Sequence, residues 1–462
     1  MQLTVEDIIA ATSGTVVRTG PCSQYTGVST DSRTIKPGDV FVALHGPHFD
    51  GHAFCSEVVQ KGAAAVIVDR HVFVDAPVTI VRVSHTIAAL GQLATWWRKP
   101  FVIPCVGITG SNGKSTTKEM TAAILETLGP VLKTEGNFNN LIGLPLTLFR
   151  LCPEHRAMVL EMGMNAPGEI RELARIAAPK VGIITNATAA HLEKLLTVDA
   201  VAEAKGELFE VMGDRGVKIV NDEDPRLQRL ATRLKGEVIR FGMQNSSDIR
   251  FCHMEMNDLD SMALTISAFG REVTFSLPLP GTHNVMNAMA AMAAGLALGI
   301  DLSVAAVRLE AFRPMAMRFE RIQLANGVRV VNDSYNANPA SMKAAFRTVG
   351  AALRKGSFIA VLGDMLELGA DAAMLHEEVG QAAVKLGVAH LFVVGVHARD
   401  VVRGALSAGI SPDLAHVYDN VEDLTRALLG VMASGDVVLV KGSRGMKMER
   451  VVEYLKRRIG SG

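Results

Sequence analysis

The chain has 462 residues, of which 48% are hydrophobic, and this length allows about three domains of roughly 100–200 residues each. Its 47 basic residues balance its 47 acidic residues, so neither a nucleic-acid-binding patch nor an acidic solvating tail is indicated. The five cysteines lie far apart and form no C-x-x-C pair. This spacing argues against zinc or dithiol chemistry and is typical of free thiols in a reducing cytosol.

The hydrophobic segments indicate no membrane span. The N-terminal sequence MQLTVEDIIAATSG carries acidic residues where a signal peptide needs basic ones. The longest apolar run, residues 288–300, is shorter than the roughly 20 residues that cross a bilayer. We therefore expect no membrane-spanning segment, and together with the free thiols this favours a cytoplasmic protein. We also expect a monomer whose partners are small molecules rather than nucleic acid.

The first predicted unit covers residues 1–98. A helix is expected over residues 5–11, and short apolar strands over residues 39–44 and 63–68, with turns rich in Gly and Pro between them. The sequence WWRKP at residues 96–100 marks the expected boundary.

Two further units, residues 99–312 and 313–462, show apolar strands alternating with helices. The proline of the linker FRPMAMR ends the helix before the second of them. Strands are predicted at residues 101–108, 157–160, 181–185, 217–220, 328–331, 358–362, 391–394 and 437–440. This alternation predicts an α/β fold with parallel sheets, whose ligands lie beyond the carboxyl ends of the strands.

The sequence GITGSNGKSTT at residues 107–117 is the most specific motif. It departs from the common phosphate loop G-x-x-x-x-G-K-[ST], because Ile108 stands where the first glycine belongs. It still follows an apolar strand and precedes an amphipathic helix, the setting in which backbone N–H groups and a helix N-terminus bind phosphate. Lys114 is placed to reach the β- and γ-phosphates, and the hydroxyl of Ser115 or Thr116 to bind Mg²⁺.

Two residues that follow strands are candidate metal ligands. Glu161 ends an apolar strand and can hold Mg²⁺ directly or through water, although a helix-capping carboxylate would look the same. His191 follows the next strand, and an imidazole there can bind metal or a phosphate oxygen. A histidine that only satisfies a loop is the alternative.

Helical and loop residues supply the remaining candidates. Lys205 lies in an apparent helix, where a surface lysine is the default interpretation. Asn284 and Asn287 share a helical face and can bind an adenine edge, or Asn284 can cap the helix. In the third unit, the loops at residues 332–339 and 363–369 follow two strands and place polar groups at one edge of a sheet, where a ligand is expected.

Together these motifs resemble the Mur ligase family, the ATP-dependent amide-forming ligases of bacterial cell-wall precursor synthesis. The loop T-G-x-x-G-K-[ST] of that family matches residues 109–115. The glutamate, histidine, lysine, asparagine pair and Arg…Asp pair of the family match, in order, Glu161, His191, Lys205, Asn284 with Asn287, and Arg318 with Asp333. Residues 29–33 with 49–52, 136–143, 333–339 with 362–369, and 441–444 resemble the member of the family that adds D-alanyl-D-alanine.

The resemblance implies a role for each candidate. Catalytic residues would be Lys114, Glu161, His191, Lys205 and Arg318. ATP would contact Thr109, Gly110, Ser111, Asn112, Gly113, Lys114, Ser115, Thr116, Asn284, Asn287, Arg318 and Asp333. Two Mg²⁺ ions would be held by Ser115, Glu161, His191 and a carbamylated Lys205. The uridine-diphosphate end of the substrate would lie near Ser29, Asp31, Ser32 and Arg33, its muramyl-peptide part near Asn137, Asn139 and Asn140, and the dipeptide near Asn336 and Asp364.

The resemblance also implies a fold and a reaction. A small α/β substrate domain (1–98) would precede a central P-loop ATPase-like domain with a mostly parallel sheet (99–312) and a Rossmann-like α/β domain for the incoming dipeptide (313–462). The reaction would join D-alanyl-D-alanine to UDP-N-acetylmuramoyl-tripeptide through an acyl phosphate. The alternatives are a family ligase that adds one amino acid, or glutamate to folate, and a non-catalytic nucleotide-binding module.

Overall fold

The computed structural model describes residues 2–46, 49–188, 197–460 and 462. Its strands form sheets of five, nine and six strands. The chain divides into two compact units: Met1–Thr109, Leu125–Gly182 and Glu207–Gly216 form the first, and Gly110–Ile124, Ile183–Gly206 and Val217–Gly462 form the second.

The five-stranded sheet lies in the first unit and has the order β1-β5-β4-β3-β2. Its strands are β1 (Thr15–Arg18), β2 (Gly27–Ser29), β3 (Asp39–Val42), β4 (Ala65–Val68) and β5 (Thr79–Arg82). β1 pairs antiparallel with β5, and the other neighbours are parallel. Its helices are Val5–Thr12, Gly51–Phe54, Cys55–Gln60 and Thr86–Arg98. β3 and β4 are buried along their whole length, because a parallel sheet packs on both faces.

The first helix shows why the chain folds this way locally. The Thr4 side chain accepts a hydrogen bond from the backbone of Asp7, and the Asp7 side chain accepts one from the backbone of Thr4. This capping box fixes the start of the helix. The helix ends at Thr12, one residue beyond the end predicted from the sequence, and Ser13 follows it in the left-handed conformation that commonly ends helices.

The nine-stranded sheet has a parallel part in the first unit, where β8 (Ala157–Glu161) lies between β6 (Cys105–Thr109) and β7 (Val131–Lys133). β9 (Val181–Ile184) follows along the chain. The helices of this region are Lys114–Leu125, Glu126–Leu128, Gly143–Leu148, Glu169–Ala177, Val198–Met212, Pro225–Ala231, Thr282–Ala297 and Leu302–Glu310.

In the second unit this sheet continues in the order β14-β13-β12-β11-β10. The strands are β10 (Val217–Asn221), β11 (Glu237–Gly242), β12 (Ile249–Asn257), β13 (Ser261–Ala268) and β14 (Arg271–Leu277). β10 to β12 pair in parallel, and β12 to β14 form an antiparallel meander. The meander is not among the predicted elements, because its half-exposed strands lack the continuous apolar runs of the parallel ones.

The six-stranded sheet lies in the second unit and has the order β15-β16-β20-β17-β18-β19. The strands are β15 (Glu320–Gln323), β16 (Arg329–Asn332), β17 (Phe358–Gly363), β18 (His390–Val394), β19 (Ala415–Tyr418) and β20 (Val437–Lys441). All neighbours are parallel except β15 and β16. The helices are Pro339–Ala352, Gly369–Asp371, Ala372–Lys385, Ala398–Ser407, Pro412–Leu414, Val421–Leu429, Arg444–Met446 and Glu449–Ile459.

The α/β class and the mostly parallel sheets predicted from the sequence are confirmed. Candidate residues follow buried strands: β6 leads into the loop at residues 110–113, β8 ends at Glu161, and β16 leads into Asp333. Among the described residues, no helix is long and apolar enough to cross a membrane.

Candidate active site

The loop between β6 and the helix Lys114–Leu125 requires its glycines. Gly110 has φ +152° and Gly113 has φ +81°, conformations that cost little only for glycine. A Cβ at Gly113 would run into the side-chain amide of Asn287. The backbone therefore turns from a buried strand into a helix within residues 110–113, the setting in which phosphate loops bind their ligands.

We expect Gly113→Ala to weaken ADP binding at least about tenfold, because left-handed strain of roughly 1–2 kcal/mol adds to the collision with Asn287. Titration calorimetry with Mg-ADP measures this. Gly270→Ala is the matched control: Gly270 has φ +79°, and a Cβ there has open space around it, in the turn between β13 and β14. Equal weakening by both variants would contradict a specific role of Gly113.

Residues 185–188, directly after β9, hold the phosphate loop. The backbone N–H groups of Ser111 and Asn112 donate to the backbone and side-chain oxygens of Asn186, at 3.0 and 2.9 Å. Thr185 Oγ1 and Asn186 Nδ2 donate to the Asn112 carbonyl, at 2.6 and 3.1 Å. Ser111 Oγ accepts from the backbone N–H of Thr188 at 3.0 Å. Thr185, Asn186 and Thr188 are not among the candidate residues predicted from the sequence.

The cationic side chains of the loop region contact their neighbours directly. Lys114 Nζ donates to the Gly110 carbonyl at 2.7 Å, so the ammonium lies over the loop. Arg318 Nη2 donates to Ser115 Oγ at 2.9 Å, and its guanidinium lies 4.0 Å from the centre of the Tyr335 ring. The linker arginine predicted from the sequence thus lies at the start of the loop's helix.

The paired asparagines are buried on the helix Thr282–Ala297. Asn284 Nδ2 donates to the Pro280 carbonyl at 2.8 Å, and Asn287 Nδ2 donates to Asn284 Oδ1 at 3.2 Å. Asn287 Oδ1 accepts from Thr117 Oγ1 at 3.2 Å. Asn284 therefore does not cap the helix with its carbonyl oxygen, and the pair lies beside the phosphate loop. Thr109 and Thr116 are also buried there.

Asp333 is paired with a buried lysine. Asp333 Oδ2 lies 2.6 Å from Lys441 Nζ, and Asp333 Oδ1 accepts from the backbone N–H of Phe319 at 3.2 Å. Lys441 Nζ also donates to the Asn336 carbonyl at 3.0 Å. In the sequence, Lys441 is noted only within residues 441–444, a stretch that resembles the Mur ligase family, and no role is predicted for it. Its signal is a lysine that ends the otherwise apolar strand β20.

His283, at the start of the same helix, titrates in this neighbourhood. Burial lowers the pKa of His283 to about 4, with Asp333 acting in the opposite direction and Lys441 in the same one. The folded protein therefore holds a neutral imidazole where the unfolded chain binds a proton below about pH 6.5. The resulting stability is complete above that pH and is lost as the pH falls toward about 4.

We expect the free energy of unfolding to fall by about 2 kcal/mol more in the wild type than in His283→Gln between about pH 7 and pH 5, because glutamine takes up no proton. Water that reaches the partly buried ring reduces this figure. Urea unfolding at both pH values measures the difference. His253→Gln, on the exposed His253 of β12, should behave as the wild type, and parallel pH profiles for all three proteins would contradict the assignment.

Lys205 is buried in the helix Val198–Met212, with 1% of its surface exposed. This differs from the surface position that the helical pattern alone predicts. Burial, and then the nearby charge of Lys114, lowers the pKa of Lys205 well below its ordinary range. Within the described parts of the chain, no carboxylate pairs with its ammonium group. Burial without a carboxylate partner favours the neutral amine form of a lysine over the charged ammonium form.

In the first unit, Glu161 is buried with one carboxylate oxygen unused. Glu161 Oε1 accepts from Asn139 Nδ2 at 2.8 Å, and the backbone N–H of Glu161 donates to Thr134 Oγ1 at 3.0 Å. Glu161 Oε2 is buried and has no hydrogen-bond partner among the described residues. Such an orphaned oxygen is costly without a cation or water. His191 lies outside the described residues.

The candidates for the uridine-diphosphate end lie at the last residue of β2 and in the turn after it. Asp31 accepts from the Arg33 guanidinium at 2.9 and 2.7 Å, which lowers the pKa of Asp31 to about 2. Ser29 Oγ accepts from the backbone N–H of Asp31 at 3.2 Å. The Ser32 carbonyl accepts from Lys61 Nζ at 2.9 Å.

The muramyl-side candidates lie in one loop after β7. The Asn137 carbonyl accepts from the backbone N–H of Asn139 at 2.7 Å. Asn140 Oδ1 accepts from the N–H groups of Ile142 and Gly143, at 3.1 and 2.8 Å, at the start of the helix Gly143–Leu148. The loop therefore offers the exposed side chain of Asn137, while the side chains of Asn139 and Asn140 are committed to Glu161 and to the helix start.

The two dipeptide-side candidates differ in exposure. Asp364, at the end of β17, is buried and accepts from the N–H groups of Val396 and His397, at 2.7 and 3.1 Å. Asn336 is exposed, and its Oδ1 accepts from the N–H of Ala337 at 2.9 Å. Asp364 therefore holds the loop after β18, whereas Asn336 is accessible to a ligand.

Comparison with known families covers most of the chain. The Mur ligase middle domain matches residues 108–295, the domain described as Mur ligase, glutamate ligase domain matches residues 317–444, and the one described as Mur ligase family, catalytic domain matches residues 24–98. A curated relative from Bacillus subtilis is 37% identical over 457 residues, which cover 98% of each chain. The chain belongs to the Mur ligase family. The resemblance drawn from the motifs is thereby confirmed, as is the three-domain α/β fold.

Several similar proteins are named for one ligase activity or as MurF. The Bacillus subtilis protein is named UDP-N-acetylmuramoyl-tripeptide–D-alanyl-D-alanine ligase. MurF from Acinetobacter baumannii has a crystal structure that matches with a TM-score of 0.91 and 31% identity over 99% of both chains. MurF ligase from Thermotoga maritima, solved in complex with ADP, matches with a TM-score of 0.83 and 30% identity over 93% of this chain and 97% of that one.

Proposed function

We propose that this Mur ligase joins D-alanyl-D-alanine to UDP-N-acetylmuramoyl-tripeptide with hydrolysis of ATP to ADP and phosphate. The observation that carries the proposal is the phosphate loop with the linker residue Arg318 bound to it, in a chain similar over almost its whole length to ligases of that name. The cell compartment and the oligomeric state belong to the same proposal: a cytoplasmic monomer acting in cell-wall precursor synthesis.

The chemistry needs an activated carboxylate. A free carboxylate does not acylate an amine at neutral pH, because its oxygen is a poor leaving group. Transfer of the γ-phosphoryl group to the tripeptide carboxylate gives an acyl phosphate and ADP. The dipeptide amine then attacks the acyl carbon, loses a proton, and expels phosphate. The protein contributes positioning and charge neutralisation rather than covalent catalysis.

The phosphate loop supplies the groups that act on ATP. Lys114 Nζ, which lies on the loop carbonyls, moves to the transferring phosphoryl group and offsets its charge. Arg318 leaves Ser115 Oγ for a phosphate oxygen. Asn284 and Asn287 bind the adenine side and Asp333 the ribose, with loop contacts from Thr109, Gly110, Ser111, Asn112, Gly113 and Thr116.

The residues that would hold Mg²⁺ fit a hard cation. Glu161 offers a buried oxygen without a partner among the described residues, Ser115 a hydroxyl, and Lys205 a neutral amine that can add CO₂ to become a carbamate. His191 is the fourth proposed ligand. When bound, two Mg²⁺ ions neutralise the phosphate oxygens.

The remaining proposed contacts follow the domain division 1–98, 99–312 and 313–462. The nucleotide-sugar end lies at Ser29, Asp31, Ser32 and Arg33, and the peptide part at Asn137, Asn139 and Asn140. Asn336 and Asp364 lie at the dipeptide, with Asp364 acting through the loop it holds. Closure of the last domain excludes water that would hydrolyse the acyl phosphate.

A phosphate-release assay with a panel of amines tests the function. We expect release with ATP, UDP-N-acetylmuramoyl-tripeptide and D-alanyl-D-alanine together, and none when any one is omitted. Phosphate release that depends on a single amino acid, or on folate and glutamate, would contradict the proposed activity and favour another amide ligase. ATP binding without release for any acceptor would favour a nucleotide-binding module.

A further inference from the structure

Asn112 of the phosphate loop is hydrogen-bonded to Asn338, a residue outside the proposed ATP, metal and substrate contacts. Asn338 lies directly before the helix Pro339–Ala352, and its Nδ2 donates to Asn112 Oδ1 at 2.6 Å. We propose that Asn338 is a positioning residue, which ties the segment after β16 to the phosphate loop through Asn112 and holds the loop in place for phosphoryl transfer. This inference rests on the proposed ligase function.

The orientation of the Asn112 amide is set by the NH₂ group of Asn338. Asn112 Nδ2 donates to Thr188 Oγ1 at 3.0 Å, while the Asn112 backbone is held on both sides by Thr185 and Asn186. Turning the amide over would bring its NH₂ group against the NH₂ group of Asn338. The carbonyl oxygen therefore faces Asn338 because the network fixes it there.

The orientation of the Asn338 amide is set independently. Asn338 Oδ1 accepts from the backbone N–H of Ser341 at 2.9 Å, and the Asn338 N–H donates to Ser341 Oγ at 3.0 Å. This capping box uses the oxygen of the side chain and leaves its NH₂ group for Asn112. Both amides are thus held by neighbours in the orientation that their mutual hydrogen bond needs.

A second contact joins the same two segments on the other side of Lys114. Arg318 lies on the Tyr335 ring and donates to Ser115 Oγ, and Tyr335 is in the same segment as Asn338. Asn112 precedes Lys114 in the chain and Ser115 follows it. The lysine that neutralises the transferring group therefore lies between two anchor points, one of which depends on Asn338.

Breaking the Asn338 contact should affect turnover more than nucleotide binding. Asn186 and Thr185 still hold the loop without it, so the loop keeps its shape for ADP. Without the Asn338 contact, only the contact through Arg318 still fixes the loop relative to the segment after β16. The expected signature is a lower kcat with an unchanged dissociation constant for Mg-ADP.

Asn338→Ser is the test variant. Serine remains a neutral helix cap that can accept from Ser341 N–H, but it is too short to reach Asn112. We expect kcat to fall about tenfold, the weight of one interior hydrogen bond, with the ADP dissociation constant changed less than about twofold. Asn420→Ser is the matched control, since Asn420 caps the helix Val421–Leu429 by accepting from Asp423 N–H at 2.8 Å, and it should retain wild-type kcat.

A double-mutant cycle with Asn112→Ala completes the test. If the two residues act through their hydrogen bond, Asn338→Ser has little further effect on kcat in the Asn112→Ala background. An unchanged kcat in Asn338→Ser, an equal loss in both backgrounds, or a parallel loss of ADP affinity overturns the proposal. Wild-type turnover with an amine other than D-alanyl-D-alanine contradicts the proposed function instead, and kcat with that amine then gives the same test of Asn338.

Discussion

Lys205→Ala is expected to reduce the rate of ligation by about a thousandfold or more while leaving ADP binding intact, because it removes the proposed carbamate that holds the second Mg²⁺. Loss of one charge-stabilising group costs roughly 10²–10³ in kcat in other enzymes. A short carboxylic acid such as acetate should restore part of the activity, since it can occupy the space that the side chain leaves. Phosphate release with and without acetate measures both effects.

Lys205→Met separates a functional role from a structural one. The side-chain nitrogen of Lys205 is buried without a carboxylate partner in the described parts of the chain, so replacing it with an apolar side chain of similar length removes the cost of burying a polar group. The variant should be inactive yet unfold at the same temperature as the wild type or a higher one. Full ligation by Lys205→Ala would reject the carbamate role, and a strongly destabilised Lys205→Met would indicate a structural lysine.

Lys114→Ala is expected to lower kcat by about 10²–10³, because it removes the charge that offsets the transferring phosphoryl group. The KM for the dipeptide should change little, since Lys114 lies in the phosphate loop and its ammonium donates to the Gly110 and Ser111 carbonyls. Steady-state phosphate release at varied ATP and dipeptide concentrations separates the two parameters.

Lys235→Ala is the control for Lys114, because Lys235 is an exposed lysine in the loop before β11. It should match the wild type in both parameters. A loss confined to the KM for ATP in Lys114→Ala would show that the lysine binds the nucleotide equally in the ground and transition states, which contradicts its role in transfer.

The sequence predicted the parallel core of the fold well. Its strands are continuous apolar runs between glycine- or proline-rich turns, as in β17 and β20. β6 begins at Cys105 rather than at residue 101, after Pro104, whose ring removes a ladder donor. The β12–β14 meander was not predicted, because its strands expose one face and its pairing depends on neighbours rather than on apolar runs.

Only those parts of the candidate site that form a local sequence pattern could be predicted from the sequence. A glycine-rich turn before a helix identifies the phosphate loop without its partners. No local pattern marks Asn186 or Asn338 as a partner of the loop, because they lie 74 and 226 residues from Asn112 in the chain, respectively. The burial of Lys205 was likewise not predictable, because lysine is usually exposed and the helical pattern around it is common.

The contacts of Asn112 also constrain how this loop can vary in evolution. Each of its four polar atoms has a partner, and these partners come from residues 185–188 and from Asn338. Thr185 and Asn186 contact the backbone of Asn112, which other residue types also have, whereas Thr188 and Asn338 contact its side chain. A replacement at position 112 therefore removes a partner from Thr188 and from Asn338 at once. Positions 112, 188 and 338 should change together among related sequences, as one inherited set spread along the chain.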